Sequence, residues 1–326
     1  MAEAAGVSIG TVSNVLNGNR PVRPETVAAV EKAMSRLGYV PNHAATTLRK
    51  GRSQIIGLVV PDIANPYFGE VAKGAQEAAE LHSLSVIVAS AGTTANDARQ
   101  LLLLRSRGVD GLLYAGSEAL GENSLAEIAR HVPMVLSGAD SENLKVDTVV
   151  AHDQQGGAKV AAHLAGLGHR NVLVLEGKVG SWTSARRLHG FHQAFDKAGT
   201  RVETMRGYFL VEAAREALAA DLAKGKPWYT AVFATNDLMA VGAIQALSAA
   251  GYRVPEDISV VGYDDVLIAS MLRPALTTVV QPARQLGKLG AERLIARIKG
   301  DRASGRVRLV LDVDLAVRAS TAPPRR

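Results

Sequence analysis

Polar and aromatic side chains recur just after the apolar segments of this sequence, where they could bind a small molecule. They are Asp62, Asn65, Tyr67, Phe68, Ser90, Trp182, Thr183, Arg187, Thr235, Asn236, Asp237, Asp264 and Asp265. Carboxylates, amides and an arginine can pair with hydroxyl groups, and aromatic rings can stack on an apolar face, so the set suits a sugar or nucleoside. For Asp237 and Asp265 we favour a plainer role, in which each caps the helix that follows.

The segments that must position these side chains are apolar strands that alternate with helical patterns. One series of strands is predicted at 55–60, 86–89, 111–114, 134–136 and 148–150, and a second series at 171–175, 230–234 and 259–263. Continuous apolar strands between helices indicate parallel sheets covered on both faces. In such open sheets ligands bind beyond the carboxyl ends of the strands. The two series therefore predict two doubly wound lobes with polar strand ends.

The N-terminal segment follows a different pattern, with short helices instead of strands. Residues 6–18 predict a turn and a helix that Ser8 caps, with Val12, Val15 and Leu16 on one apolar face. The opposite face is small, polar and uncharged, which suits a helix pressed into a DNA groove. It consists of Ile9, Gly10, Ser13, Asn14 and Asn17. An ordinary amphipathic surface helix would show the same periodicity. A third helix is predicted from Pro24 to Leu37.

Composition and charge narrow the classes of protein. The 326 residues are long for one core and predict two or three domains. No apolar run is long enough to span a membrane, the N-terminus lacks the pattern of a secretion signal, and the absence of cysteine excludes disulfides and thiolate metal sites. Residues 1–52 hold seven basic and three acidic side chains of a chain whose net charge is +6. This basic segment favours nucleic-acid binding by a cytoplasmic protein, although a merely solvated basic face would carry the same charge.

Motifs for other chemistries are missing from the sequence. It has no glycine-rich phosphate loop, no Gly-x-Ser-x-Gly turn and no His-Glu-x-x-His helix. Gly166-Leu167-Gly168 precedes a predicted strand, so it is not a dinucleotide fingerprint. His189 and His192 are spaced for one helix surface, which we prefer to a metal site. We therefore expect no cofactor, no metal and no catalytic residue.

The segment from Ala5 to Asn17, Ala-Gly-Val-Ser-x-x-Thr-Val-Ser-x-Val-Leu-Asn, resembles the helix-turn-helix signature of the lactose-repressor (LacI/GalR) family. The resemblance extends through Gly38-Tyr39-Val40-Pro41-Asn42 and covers essentially the whole chain. It implies a small all-α helix-turn-helix headpiece plus a two-lobed α/β core of doubly wound parallel sheets, like that of periplasmic binding proteins.

The resemblance also implies domain boundaries. The headpiece is expected at 1–41 and a hinge helix at 42–52. The N-lobe is expected at 53–150 and 280–307, and the C-lobe at 151–279 and 308–326, so that the chain crosses between lobes near 150, 279 and 308. Family members usually begin with a further Thr-Ile/Leu-x-Asp-Val-Ala segment, so we expect the first helix here to be truncated and the headpiece to bind DNA weakly as the chain stands.

DNA contacts follow from the same resemblance. Base contacts are expected from Ile9, Gly10 and Asn14, and phosphate contacts from Thr11, Ser13 and Asn17, with Ser8 at the start of the same helix. In the hinge, Leu48 occupies the position of a leucine that wedges into the minor groove, and Asn42 and Ala45 are expected to lie beside the DNA. Thr46 stands where many members carry a basic residue. Free in solution, we expect the hinge to be disordered, because so short a helix is marginal in water.

The resemblance keeps six of the strand-end residues and adds Phe209 and Gln281, which gives eight expected effector contacts. These are Tyr67, Phe68, Thr183, Arg187, Phe209, Asn236, Asp264 and Gln281. We interpret the chain as a transcriptional regulator, expected to be a repressor, whose affinity for operator DNA is controlled by a sugar-like effector. A homodimer is expected, because the sequence shows no heptad repeat that would join dimers. One alternative is a sugar-binding protein for transport or sensing; a less favoured one is an α/β enzyme that uses Asp264 or Asp237 as acid or base.

Overall fold

The computed structural model describes residues 1–17, 20–39, 52–92, 94–116, 122–141, 143–196, 199–301 and 305–325. The chain divides into two compact units, Met1–Ser53 and Gln54–Arg326. The predicted hinge contacts Asn42, Ala45 and Leu48 lie outside the described residues. Within those residues, no helix is long and apolar enough to cross a membrane.

The N-terminal unit consists of three helices, α1 Ala2–Ala5, α2 Ile9–Asn17 and α3 Pro24–Leu37. Ser8 caps α2 as predicted, because its Oγ accepts a hydrogen bond of 3.1 Å from the Thr11 amide. Val12 of α2 is buried, as are Val30 and Ala33 of α3. Leu37, which the periodicity places on the apolar face of α3, is exposed. The core of this unit therefore contains few side chains, so small changes in it should have a large effect on the stability of the unit.

The outer face of α2 is open to solvent at its N-terminal end. Ile9 is 81% exposed, the highest value among the described large hydrophobic side chains, and Ser8 and Gly10 are exposed beside it. Ser13 and Asn14 lie further along the helix and are half-buried. Asn17 is the last residue of α2. A helix face with one exposed apolar side chain next to small polar ones can fit into the major groove of DNA.

The second unit is built from strands and helices in alternation. Its strands are β1 Ile55–Val60, β2 Ser85–Ser90, β3 Gly111–Tyr114, β4 Met134–Ser137, β5 Asp147–Ala151, β6 Asn171–Glu176, β7 Arg201–Arg206, β8 Ala231–Ala234, β9 Ser259–Asp264, β10 Thr277–Val280, β11 Arg308–Leu311 and β12 Asp314–Ala316. Its helices are α4 Pro66–Glu80, α5 Thr94–Ser106, α6 Glu122–Ala129, α7 Asp153–Gly166, α8 Trp182–Phe195, α9 Val211–Leu222, α10 Asp237–Ala249, α11 Leu267–Met271 and α12 Ala283–Ile298.

The strands form two six-stranded sheets, which define two lobes. The first sheet has the order β11-β5-β4-β3-β1-β2, and the second β12-β10-β9-β8-β6-β7. Every pair in the first sheet is parallel, and in the second only β12 runs antiparallel to its neighbour. The inner strands are largely buried and mostly apolar, as expected where helices cover both faces of a sheet. The doubly wound fold class is confirmed.

The chain crosses between the lobes at three places. The first lies between β5 and α7 and the second between β10 and α12, close to the positions predicted. The third prediction, at 308, is wrong: β11 pairs with β5 in the first sheet, with Arg308 opposite Thr148. The crossing therefore follows Leu311, and residues 308–311 belong to the first lobe. The alternating exposure of β11, an edge strand, hid it from a search for apolar runs.

Two helix pairs pack closely because glycines face the partner backbone. In the first lobe, a Cβ added to Gly74 of α4 would lie 1.8 Å from the Arg284 carbonyl oxygen of α12, and one added to Gly287 would lie 1.9 Å from the Val71 oxygen. In the second lobe, a Cβ on Gly157 of α7 would lie 2.0 Å from the Arg187 carbonyl oxygen of α8. No side chain fits at these distances, so the helices approach as only glycine permits.

Gly157→Ala is expected to lower the stability of the protein by about 1–3 kcal/mol, because the added methyl group must push α8 away from α7. Gly166→Ala in the same helix is the matched control: no atom lies within 4 Å of the added Cβ. This second change should be neutral or stabilising. Melting temperatures of the two variants and the wild type measure the difference. Equal melting temperatures for the two variants would contradict the close packing.

Candidate effector site between the lobes

A cavity of about 190 Å³ lies between the lobes at the carboxyl ends of the central strands. Its walls include seven of the eight predicted effector contacts: Tyr67, Phe68, Thr183, Arg187, Phe209, Asn236 and Asp264. The strand-end rule brings these residues together although they are spread over some two hundred positions of the sequence. The eighth, Gln281, does not line the cavity and reaches it only through Asp264.

Arg187 is the buried cation at the base of the cavity. Its Nε donates to Asp153 Oδ1 at 2.8 Å and its Nη1 to the Thr235 carbonyl at 2.6 Å. Its guanidinium also lies 3.8 Å from the centre of the Tyr263 ring. Burial opposes the charge, but the carboxylates of Asp153 and Asp264 more than offset this and raise the pKa of Arg187. The arginine is thus fixed and charged before any ligand arrives.

Asp264 ends β9 and faces the same cavity. Its Oδ1 accepts from Gln281 Nε2 at 2.6 Å and from Arg187 Nη1 at 3.4 Å. Both bonds within the described residues go to Oδ1, which leaves Oδ2 for a ligand hydroxyl. The backbone of Asp264 has φ 114°, a conformation that a side chain of this size rarely adopts. Burial raises the pKa of this carboxyl to about 6, against the opposing effect of Arg187.

Asn236 caps a helix and also bonds the turn that carries the aromatic residues Tyr208 and Phe209. Its Oδ1 accepts from the Met239 amide at 2.9 Å and so caps α10. Its Nδ2 donates to the Phe209 carbonyl at 3.2 Å. Tyr208 and Phe209 both have positive φ, 55° and 64°, and this bond helps hold their strained turn. Phe209 in turn rests on Gly177, where a Cβ would lie 2.0 Å from its ring.

The first lobe supplies the opposite aromatic wall. Asn65 caps α4 by accepting from the Tyr67 amide at 3.0 Å, which fixes the start of the helix. The Tyr67 and Phe68 rings then meet edge to face with centroids 5.1 Å apart. Burial raises the pKa of Tyr67, so its hydroxyl stays protonated and can donate. Aromatic rings from both lobes therefore face a polar base, the arrangement that the sequence pattern predicted for a sugar or nucleoside.

The two aspartates that were expected to cap helices do something else. Asp237 Oδ2 accepts from the Val266 amide at 2.9 Å, and Oδ1 accepts from the Thr278 hydroxyl at 2.6 Å. Asp265 pairs with Arg318 at 2.7 Å. The cap of α10 is Asn236 instead. Asp237 therefore ties three segments of the second lobe together, and both of its oxygens are occupied.

Sequence reasoning missed several residues of the site. Asp153, the closest acidic partner of Arg187, follows the end of β5 and would have been found had the strand-end rule been applied there. Lys178 and Tyr208 line the cavity from loops that follow β6 and β7. Lys178 Nζ donates across the cleft to the Gly92 carbonyl at 3.1 Å. β7, an edge strand with mostly exposed side chains, gave no apolar signal that could have pointed to Tyr208.

Within the described ranges, no group of three or more histidine, aspartate or glutamate side chains could hold a metal ion. His192 pairs at 3.0 Å with Asp196, the residue that follows the end of its helix, as a surface residue would. The cavity offers hydrogen bonds and ring faces, which are the means of binding an organic ligand.

Comparisons with known proteins agree with this architecture. Residues 1–42 match the family described as bacterial regulatory proteins, lacI family, and residues 161–321 match the periplasmic binding protein-like domain. The HTH-type transcriptional regulator DegA of Bacillus subtilis is 35% identical over 99% of this chain and 97% of its own length. The HTH-type transcriptional repressor PurR of Photobacterium profundum is 35% identical over 98% of this chain and 97% of its own length.

Solved structures extend the agreement to the whole chain. The Lac repressor dimer bound to operator and the anti-inducer ONPF has a TM-score of 0.85 at 29% identity and covers 98% of this chain and 97% of its own. A CelR–cellobiose complex has a TM-score of 0.74 at 32% identity, with 98% of each chain covered. A helix-turn-helix unit joined to a two-lobed binding core defines a ligand-responsive transcriptional regulator. This chain belongs to the LacI family of bacterial regulatory proteins.

The raised pKa of Asp264 predicts a specific pH dependence of stability. An exposed aspartate has a pKa of about 3.9, so between there and pH 6 the folded protein holds a proton that the unfolded chain has released. Stability from this group is therefore lost as the pH rises through that window, by about 3 kcal/mol in total. Asp264→Asn removes the titration, so its melting temperature should rise relative to wild type as the pH increases from 4 to 7. Parallel melting curves over this range would contradict the assignment.

Proposed function

We propose that the protein is a repressor that binds operator DNA as a homodimer and whose operator affinity is set by an uncharged, sugar-like effector in the cleft. The observation that carries this proposal is the cluster of Asp264, Arg187 and Asn236 beneath aromatic rings from both lobes. A carboxylate, a guanidinium and an amide at one base can bind adjacent hydroxyls of one ring. Among the structural relatives, one is a complex with cellobiose and another, from Enterococcus faecium, holds ribose.

The exposed start of α2 is the proposed DNA-reading surface. Ile9 and Gly10 face solvent, and Asn14 follows on the same side one turn later. An asparagine amide can pair with adenine in bidentate fashion, and an aliphatic side chain can contact a thymine methyl group. A dimer presents two such helices, and each helix binds one half-site of the operator. The two-fold axis that relates the two subunits also relates the two half-sites. A protein that acts on bacterial operators works in the cytoplasm.

Control by the effector requires that one lobe arrangement binds it better than the other. The cavity meets this requirement, because Tyr67 and Phe68 come from the first lobe while Arg187 and Asp264 come from the second. A ligand that touches both walls is bound fully only when the lobes are close together. Its binding energy therefore favours one lobe arrangement. This shift in the equilibrium between lobe arrangements would change the affinity of the protein for its operator.

Catalysis is not part of the proposal. Asp237 does not line the cavity, and its two carboxylate oxygens accept from the Val266 amide and the Thr278 hydroxyl, so its contacts are structural. Asp264 is bound to Gln281 and Arg187, which suits the stable recognition of a hydroxyl. Recovery of chemically unchanged ligand from the complex is the expected result.

Asn14→Ala is expected to weaken binding to the preferred operator by about 1–3 kcal/mol and to relax specificity at one base pair, because a bidentate contact is lost. Binding to operators with each base substituted in turn measures both effects. An equal loss on every sequence would mean that Asn14 contacts the DNA backbone instead.

Asp264→Ala is expected to abolish the effect of the effector on operator affinity, while the operator itself is still bound. Asp265→Ala is the matched control, because Asp265 pairs with Arg318 and does not line the cavity. Operator titrations with and without a ligand found by a thermal-shift screen of sugars and nucleosides give the measurement. If Asp264→Ala responds to that ligand as the wild type does, the proposed site is wrong.

A further inference from the structure

A second cavity lies between the same two lobes, and at about 480 Å³ it is larger than the first. The first lobe lines it with Tyr114, Leu125 and Leu136, and the second lobe with Val179, Trp182 and Leu188. Its walls are thus largely apolar and include one indole ring. We call it the outer cavity, to distinguish it from the effector cavity that contains Arg187 and Asp264.

The two cavities are neighbouring compartments of one cleft. Lys178 lines both of them, and its Nζ bonds the Gly92 carbonyl across the cleft at 3.1 Å. Adjacent residues of one element face different compartments: Thr183 lines the effector cavity and Trp182 the outer cavity. A ligand that extends past Lys178 would therefore enter the outer cavity without leaving the space between the lobes.

The polar groups around the outer cavity already have partners. Asp140 accepts from Arg306 and from Arg308, each at 2.6 Å. Glu176 pairs with Arg206 at 3.4 Å. These carboxylates are therefore neutralised by the protein, and a cationic ligand would find no uncompensated carboxylate among them.

Two serines of the outer cavity are likewise used within the second lobe. Ser181 caps α8 by accepting from the Ser184 amide at 3.3 Å, and Ser184 Oγ accepts from the Gly177 amide at 2.9 Å. What the cavity still offers a ligand is mainly apolar surface and the Trp182 ring. Such a surface suits an uncharged ring with an apolar face.

We infer that the effector carries two rings, a sugar ring in the effector cavity and a second, uncharged ring in the outer cavity, joined beside Lys178. This inference rests on the proposed function, since it assigns the first ring to Arg187 and Asp264. The second ring is either another sugar or an aromatic substituent, because both present an apolar face to Trp182. In either case it contacts both lobes, and so adds to the preference for one lobe arrangement.

Binding measurements on matched ligands test the inference. The probes are glucose, galactose and ribose as single rings, phenyl β-glucoside and phenyl β-galactoside as aromatic extensions, and cellobiose and lactose as sugar extensions. At least one extended ligand should bind about tenfold or more tighter than its parent sugar, because a buried ring removes apolar surface from water. Whether the phenyl or the disaccharide series gains identifies the nature of the second ring.

A substitution that fills the outer cavity separates the two compartments. Ala185 of α8 lines the outer cavity and not the effector cavity. Ala185→Phe should reduce the affinity of the extended ligand to that of its parent, while the parent sugar binds as before. His189→Phe, at an exposed position of the same helix that lines neither cavity, is the matched control and should change neither.

The outcomes distinguish this inference from the proposed function. If the single sugars bind and the extended ligands bind no more tightly, the inferred second ring is wrong and the proposed sugar site stands. The same conclusion follows if the extended ligands still bind more tightly than their parent sugars to Ala185→Phe. If none of the seven probes binds, the sugar assignment fails together with the inference.

Discussion

The buried charge on Arg187 is the constraint on which the rest of the core depends. A guanidinium this far from water is stable only if carboxylates and carbonyls surround it, and Asp153, Asp264 and the Thr235 carbonyl do so. These partners come from α7, β9 and the end of β8. The arginine therefore fixes the relative positions of three elements of the second lobe, and the close packing of α7 on α8 at Gly157 holds its backbone in place.

The same cluster gives the site its binding properties. The cluster holds one cation, Arg187, and two carboxylates, Asp153 and Asp264. Burial and the nearby charge of Asp153 oppose the ionisation of Asp264, and its pKa rises to about 6. At neutral pH its free oxygen can still accept from a hydroxyl, and the fixed guanidinium can donate without reorganising. Strained backbone at Tyr208, Phe209 and Asp264 lies around this point. Such strain persists only where the surrounding structure holds it, and it concentrates at functional sites.

The ligand site and the lobe crossings are mechanically connected. Gln281 bonds Asp264 and lies between β10 and α12, where the chain passes from the second lobe to the first. Asp264 therefore contacts a residue of one crossing directly. A ligand that alters the hydrogen bonds of Asp264 can affect that crossing through Gln281. Lys178 and Gly92 provide a second link, directly across the cleft. Both links offer the differential contacts that a ligand needs to shift a two-state equilibrium.

Local pattern was enough to predict the N-terminal helices, most of the inner strands and the strand-end positions of Tyr67, Arg187, Asn236 and Asp264, because these depend on spacing along the chain. That the second helix belongs to a helix-turn-helix unit came from the family resemblance. The edge strands β7, β11 and β12 escaped prediction, since their partly exposed side chains carry no long apolar run. The inner strand β10 was also missed, because two of its four residues are threonines. Only the tertiary structure could decide that Asp237 ties Val266 to Thr278, that Asp153 neutralises Arg187, and that Lys178 separates two cavities. Those contacts join residues far apart in sequence, and their geometry is fixed by how sheets and helices pack and not by any local preference.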